Sequence, residues 1–557
     1  MYTIGISAFY HDSSVCLFRD GRLIFACEEE KFTGIKHDKS FPKKALKYIT
    51  TQHKLTPEKI DSVCFYEDPS LKFNRVLDNS KKNFFRNPIH SIKSVVEVIS
   101  NRVILNRELK KVSKNVYYSQ HHNSHIFYSA FTSPFKESLV VSIDGVGEYE
   151  TATYGIYDGV NVIIKPLSEY PNSIGLFYSA MSSFLGFKPN EGEYKVMGLS
   201  AYGNPEKYIS KLRTLIYFNG DKLICDMDSF KWDRSDKGMF TYELSKRLEL
   251  LPRVPDSAIT NDHHDLAAAI QLRYEELFFR ILKQLHLKYG IENLCLGGGC
   301  AYNGLANGKI YNKTGFKHVW IPPAPSDAGS SIGACIEKLV VEGQKPYIGR
   351  SPFLGPSYRI DERYKEYFGT SRYFYAKEDV LYRLVAKELK QGKVIGWFRD
   401  EIEFGSRALG HRSILADPTV KGMKDRINHL VKKREGFRPF APMVTKERQR
   451  DFFWINDDVP YMNQVVMVKD EFKDILSATT HVDGTARVQT VYPNSDIHKL
   501  LREFELLSSY PILLNTSFNL RDKTMVLTPL QALNTFKESD IDVLVLQNYI
   551  IYKKRKS

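Results

Sequence analysis

The sequence has no run of about 20 apolar residues, which excludes a membrane-spanning helix. Its first residues, MYTIGISAFYHDSS, carry neither a basic start nor the apolar core of a secretory leader, so a cytoplasmic location without a membrane partner is expected. Cysteine is scarce and scattered. Cys16, Cys27, Cys64, Cys225, Cys295, Cys300 and Cys335 form no C-x-x-C pair, which argues against both a disulfide framework and a zinc knuckle. They read as small buried hydrophobes. Acidic residues are outnumbered, with 65 Asp plus Glu against 79 Lys plus Arg, a net charge of +14. Aromatic residues are plentiful, at 33 Tyr and 34 Phe within a 43% apolar composition, and this excludes a disordered chain. A length of 557 residues accommodates two large domains or three smaller ones.

The positive charge is uneven. Residues 71–115 hold eleven Lys and Arg against Asp78, Glu97 and Glu108, a surplus of eight. Such a segment serves as a nucleic-acid surface, an approach for anionic substrates, or a solvated face.

Short apolar runs alternate with helical patterns, the mark of a mixed α/β chain. TIGISAFYHDSSVCLFRDGRLIFACEEE reads as strand, polar loop, strand, Asp20-Gly21 turn and strand. From Leu139, LVVSIDGVGEYETATYGIYDGVNVIIKPLSE repeats that layout with Asp158-Gly159 as its turn, which suggests an internal duplication. DLAAAIQLRYEELFFRILKQLHLKYG, from Asp265, has helical periodicity, an acidic start and a closing Gly290. His263 and His264 are expected to help start this helix. The Pro- and Gly-bearing stretch 348–358 reads as a linker, so one domain is expected over 1–350 and a second over 365–557.

His121 and His125 are four apart in a helical segment, which puts both rings on one face. Alone, this is also the pattern of two surface histidines. Asp144, ending the apolar run SLVVSID, and Asp327, just before another helix, are positioned to complete a ligand set. Two imidazoles and two carboxylates suit Fe²⁺, Mn²⁺ or Zn²⁺ better than Mg²⁺ or Ca²⁺. Gly297, Gly298 and Gly299, followed by Asn303, form a turn whose backbone N–H groups can approach phosphate or adenosine, and DGVG at 144–147 forms another. Arg407, Arg412 and Arg438 stand beside glycines and a proline in segments read as loops, where guanidinium forks suit phosphate or carboxylate. Arg487 and the NTSFN stretch at 515–519 add donors for a second anionic group.

Ten segments, in order over nearly the whole chain, resemble the O-carbamoyltransferases that modify nodulation factors, cephamycins and aminoglycosides such as tobramycin. They are GISAFYHDSS, EEEKFTGIKHD, HHNSH, SIDGVGE, GGGCAYNG, SDAGSSIGA, FGSRALGHRSILADP, GFRPFAP, HVDGTARVQTV and LNTSFN. The resemblance implies an N-terminal duplicated actin-like domain and a C-terminal YrdC-like α/β domain that forms carbamoyl adenylate from carbamoyl phosphate and ATP, with Mg²⁺ accompanying the nucleotide. The first domain then passes the carbamoyl group to a hydroxyl of a small-molecule or sugar acceptor. By the same resemblance, His121, His125, Asp144 and Asp327 hold a divalent metal, foremost Fe²⁺. Arg407, Arg438, Arg487, Asn515 and Ser517 hold carbamoyl phosphate or the adenylate, and His11 and Asp12 lie on the acceptor side.

The chemistry agrees with these residue types. Arginines neutralise phosphoryl charge as it develops during adenylation. An alcohol is a poor nucleophile at neutral pH and needs activation, with His11 or Asp12 placed to take its proton. A tRNA threonylcarbamoylation-type transferase would suit the positive charge, but the fused domains and the FGSRALGHRS run argue against it, and no nucleic-acid partner is expected. A hydrogenase-maturation carbamoyltransferase is disfavoured by the missing C-x-x-C pairs. A non-catalytic actin-like ATP-binding scaffold would leave the arginine loops and the four ligands without a task.

Overall fold

The computed structural model describes residues 1–235, 238–432 and 440–554, with the side chains of residues 363 and 430 excepted. Two compact units emerge, one of residues 1–24 and 39–350, the other of residues 25–38 and 351–557. The chain therefore enters the second unit early, returns, and leaves again, so residues 25–38 belong with the C-terminal part rather than with the stretch of 1–350 that surrounds them in sequence. Their attachment is concrete. Ala26 N–H donates to the Leu354 carbonyl at 3.0 Å, and Glu28 accepts from the Gly405 N–H at 2.7 Å.

The first unit carries two five-stranded sheets, save that the strand Arg22–Glu28 of one runs past Ile24 into residues 25–28. One has the order β3-β2-β1-β4-β5, built from β1 (Tyr2–Ser7), β2 (Ser14–Arg19), β3 (Arg22–Glu28), β4 (Ser62–Phe65) and β5 (Val116–Tyr118). After β6 (Ser138–Ile143), β7 (Glu150–Tyr157) and β8 (Val162–Glu169) comes a separate ribbon of β9 (Ile216–Asn219) and β10 (Lys222–Cys225), then β11 (Asn293–Gly297) and β12 (His318–Trp320). The second sheet runs β12-β11-β6-β7-β8, the same order as the first read from its other edge. Pairing directions agree: β1 is antiparallel to β2 and parallel to β4, and β6 is antiparallel to β7 and parallel to β11. The two hairpins differ in their turns. Asp20 and Gly21 both have positive φ, 51° and 74°, as a two-residue turn with right-handed twist requires. In the second copy only Gly159 does, and the Asp158 carboxylate instead accepts from the N–H groups of Val160 and Asn161, making a longer Asx turn.

Strands β1 and β6 are buried along almost their whole length because helices cover them, which is why their sequences read as continuous apolar runs. Two of the covering helices, His121–Phe131 and Asp327–Val341, cross in direct contact. Gly333 makes this possible, since a Cβ there would lie 1.8 Å from the Ser124 carbonyl oxygen. The long helix spans Asn261–Tyr289. Thr260 and His263 cap its start reciprocally, and Gly290 ends it at φ 68°.

The second unit centres on an eight-stranded mixed sheet in the spatial order 373–375, 549–552, 543–546, 395–398, 412–416, 512–517, 441–445, 489–491. A three-stranded sheet of 453–454, 465–468 and 485–487 accompanies it. All seven cysteines are unbridged, and six are buried.

Candidate metal centre

His121, His125, Asp144 and Asp327 converge inside the first unit, their ligand atoms all within 4.8 Å of one another. Helical spacing places the two imidazoles on one face at the start of His121–Phe131, and their Nε2 atoms lie 3.1 Å apart. Asp144 projects from the end of β6, with Oδ2 at 2.9 Å from His125 Nε2 and 3.5 Å from His121 Nε2. Asp327 opens its helix, with Oδ1 at 3.5 and 3.7 Å from the same two nitrogens.

The donor set fits a divalent cation. With His125 unprotonated, Asp144 Oδ2 and both Asp327 oxygens are buried without a hydrogen-bond donor, although buried polar atoms are normally paired. Two nitrogens and two carboxylates facing one point suit Fe²⁺, Mn²⁺ or Zn²⁺. Ser330 Oγ, 3.0 Å from His125 Nδ1, fixes that ring from behind. His122, the middle histidine of HHNSH, turns away and bonds Ser142 Oγ and the Glu150 carbonyl, each at 3.1 Å. Burial, together with His121 and His125, holds its pKa well below the ordinary value, so this ring is neutral.

Burial also disfavours a charged His125, but Asp144 and Asp327 outweigh it and lift the ring to about 9. A metal ligand must be unprotonated, so at neutral pH metal binding has to expel this proton. Affinity is accordingly expected to rise with pH through neutrality, by about tenfold per unit for the one proton displaced, and to level off near pH 9. Chelator-competition titrations at several pH values measure this, and a flat profile would contradict it.

Several neighbours complete the site. His11 Nε2 lies 3.8 Å from Asp327 Oδ2, and its Nδ1 is 3.0 Å from Asp12 Oδ2. Burial opposes charge on His11, yet Asp327 and Asp12 raise it to about 10. The Tyr66 hydroxyl is buried without a partner, and its ring packs against His121 with centroids 5.4 Å apart. Glu148, which sequence reasoning missed, accepts the His121 N–H with both oxygens at 2.9 and 3.0 Å and the Asp68 N–H at 2.7 Å. This carboxyl group, raised to about 7 by burial, anchors the N-terminus of the helix that carries both imidazoles by accepting a free N–H there. Its only advance signal was its place in SIDGVGE.

Gly297, Gly298 and Gly299 lie beside the same centre. Gly298 has φ 80°, and a Cβ there would meet the Ile143 carbonyl oxygen at 2.3 Å, while one on Gly299 would stand 3.1 Å from Asp144 Oδ1. Close approach to the Asp144 strand is thus one requirement for these glycines. Asn303 caps the helix Gly304–Lys313 through Ala306 N–H and exchanges two 3.0 Å hydrogen bonds with the Gln271 amide.

In the second unit, FGSRALGHR wraps around one carboxylate. Glu403, fully buried, accepts from the N–H groups of Leu409, His411 and Arg412 at 2.8, 2.8 and 3.0 Å. The half-buried Arg407 stands in this loop. Asn515 Nδ2 donates to the Ala408 carbonyl and to Gln489 Oε1, leaving its buried Oδ1 without a partner. Ser517 Oγ donates to Asn519 Oδ1, and both side chains gather around Lys432, a further cation not singled out from sequence. Arg487 ends the strand Thr485–Arg487 and is half-buried. Arg438 lies outside the described residues. Arg412 corrects the loop reading: it begins the strand Arg412–Ala416 and is fully buried. Its guanidinium donates to the carbonyls of Arg399, Asp400 and His411 and lies 3.6 Å over the Phe398 ring, so it braces the sheet and is unavailable to an anion.

Residues 2–336 match the family described as carbamoyltransferase N-terminus, and residues 386–553 match carbamoyltransferase C-terminus. Protein sll1178 of Synechocystis is 35% identical over 99% of this chain and 97% of its own length. Nodulation protein NolNO of Sinorhizobium fredii is 33% identical over 99% of this chain and 80% of that protein. Nodulation protein NolO of Bradyrhizobium diazoefficiens is 34% identical over 78% and 79% of the two chains. A solved structure of full-length HypF in the phosphate- and nucleotide-bound form aligns at 12% identity over 62% of this chain and 56% of that one, with a TM-score of 0.34. The matches over both units define an enzyme that transfers carbamoyl groups. The chain belongs to the carbamoyltransferase family.

Proposed function

We propose that the protein is an ATP-dependent O-carbamoyltransferase whose first unit, of the duplicated actin-like type, delivers a carbamoyl group to a hydroxyl on a small-molecule or sugar acceptor. The observation that carries this reading is the convergence of four buried ligand atoms beside His11. A divalent cation bound there lowers the pKa of an acceptor hydroxyl or polarises the carbamoyl carbonyl. His121, His125, Asp144 and Asp327 hold it, and Ser330 and Glu148 orient the histidines. In its neutral form His11 would accept the acceptor's proton at Nε2, the ring nitrogen turned toward Asp327. Asp12 fixes the opposite ring nitrogen.

The second unit is proposed as the YrdC-like part that makes carbamoyl adenylate from carbamoyl phosphate and ATP, with phosphate and pyrophosphate leaving. Arg407, Arg438, Arg487, Asn515 and Ser517 are the residues assigned to the phosphoryl and carbamoyl groups, and Gly297, Gly298, Gly299 and Asn303 to nucleotide in the first unit. Guanidinium groups at a phosphoryl centre stabilise charge where it develops.

The test is incubation with carbamoyl phosphate, ATP, Mg²⁺ and a panel of hydroxylated metabolites and sugars, followed by mass spectrometry. A gain of one carbamoyl group that requires both phosphoryl substrates supports the proposal. Product on tRNA alone would replace it with the threonylcarbamoylation-type reading. Nucleotide binding with no acceptor modified at all would favour a scaffold.

A further inference from the structure

The basic segment 71–115 forms two helices, Pro69–Asn83 and Pro88–Val112, joined by a short turn at Phe84–Asn87. Leu105 and Leu109 anchor one face of the second helix in the protein. Along the opposite face, Ile89, Ile92, Val96, Ile99 and Val103 recur at spacings of three and four, which aligns them in one stripe. Phe85 extends the stripe at the turn, and exposure across these six side chains runs from 46% at Ile99 to 97% at Phe85. Single exposed apolar residues are ordinary, whereas an aligned set of six forms one continuous apolar patch.

The charges around the stripe indicate what it binds. Arg107 and Lys110 continue the same face beyond Val103, and Lys81, Lys82 and Arg86 flank the Phe85 turn, all exposed. Three acids cannot neutralise the eleven cations of the segment. A second copy docked stripe to stripe would bring Lys93, Arg102 and Arg107 toward their like, with Glu97 the one acid beside that seam. An anionic lipid surface satisfies both features, taking the aliphatic stripe into its interface while the cations reach headgroup phosphates. No helix among the described residues is long and apolar enough to cross a membrane, and a peripheral contact requires only one apolar face.

We propose that the hairpin 69–112 docks this enzyme peripherally on anionic membrane surfaces. The test is flotation of the full chain with vesicles of phosphatidylcholine and phosphatidylglycerol in equal parts, with phosphatidylcholine vesicles as the neutral control. Binding is expected to the anionic vesicles only, and to weaken when salt rises from about 50 mM to about 0.5 M. Ile92→Glu/Ile99→Glu, two exposed positions where the fold is not at stake, is expected to weaken it by more than about tenfold with an unchanged circular dichroism spectrum. Absence of binding, equal binding to neutral vesicles, or indifference to the double substitution would overturn the proposal. So would a solution dimer that the same substitution splits in a chain that ignores vesicles, since the face would then belong to a second copy.

Discussion

Replacing His125 by alanine is expected to abolish carbamoyl transfer, by more than about 100-fold, while ATP–pyrophosphate exchange dependent on carbamoyl phosphate continues. The reasoning is local. His125 supplies one of two imidazole nitrogens in a site with two carboxylates, and it lies in the first unit, whereas the residues assigned to the phosphoryl and carbamoyl groups lie in the second. Without the ring, Asp144 and Asp327 face each other across a void with one imidazole between them, and metal content should fall with activity. Metal analysis and the two assays on the same preparation decide the matter. Loss of exchange in a folded variant would show that the division of labour between the units is wrong.

Glu403→Ala is expected to produce the largest structural effect in the second unit. One carboxylate oxygen gathers three backbone N–H groups, and its removal leaves them without an acceptor in a buried loop. At about 1–3 kcal/mol for each unsatisfied donor, the cost is at least about 3 kcal/mol, enough to lower the melting temperature by several degrees. Arg407 sits within the same loop, so exchange should fall by more than about tenfold. Glu403→Gln retains an acceptor oxygen and should recover most of the stability. Thermal unfolding and exchange measured on both variants test the assignment, and wild-type behaviour of the alanine variant would refute it.

The shared face of His121 and His125 was readable in sequence because helical periodicity is local: a spacing of four aligns these two rings and turns His122 to the other side. The duplicated sheets were visible for a related reason, since each copy begins with strands whose apolar runs and turns follow one another closely in sequence. Relations between distant segments were not visible. Glu148 anchors a helix 27 residues before it, and Ser330 steadies a ring 205 residues away, neither of which leaves a periodic trace. Arg412 was misjudged because flanking glycines suggest a loop, whereas its fate is set by the burial of a strand and by three carbonyl oxygens that only the fold brings together. The surplus of positive charge is legible in the sequence, but the exposure of the aliphatic stripe beside it depends on which helix face the rest of the unit leaves uncovered.

The early excursion of residues 25–38 has a consequence for anyone dividing this protein. A cut after residue 350 does not yield two independent halves, because the N-terminal fragment keeps a stretch that has partners on the other piece and the C-terminal fragment loses it. The Gly405 N–H would lose its Glu28 acceptor, and the Leu354 carbonyl its Ala26 donor. During synthesis, too, residues 25–38 must wait for more than three hundred further residues before the unit they belong to exists. The two units are thus interleaved along one thread, and severing that thread after residue 350 would be expected to damage the second unit more than the first.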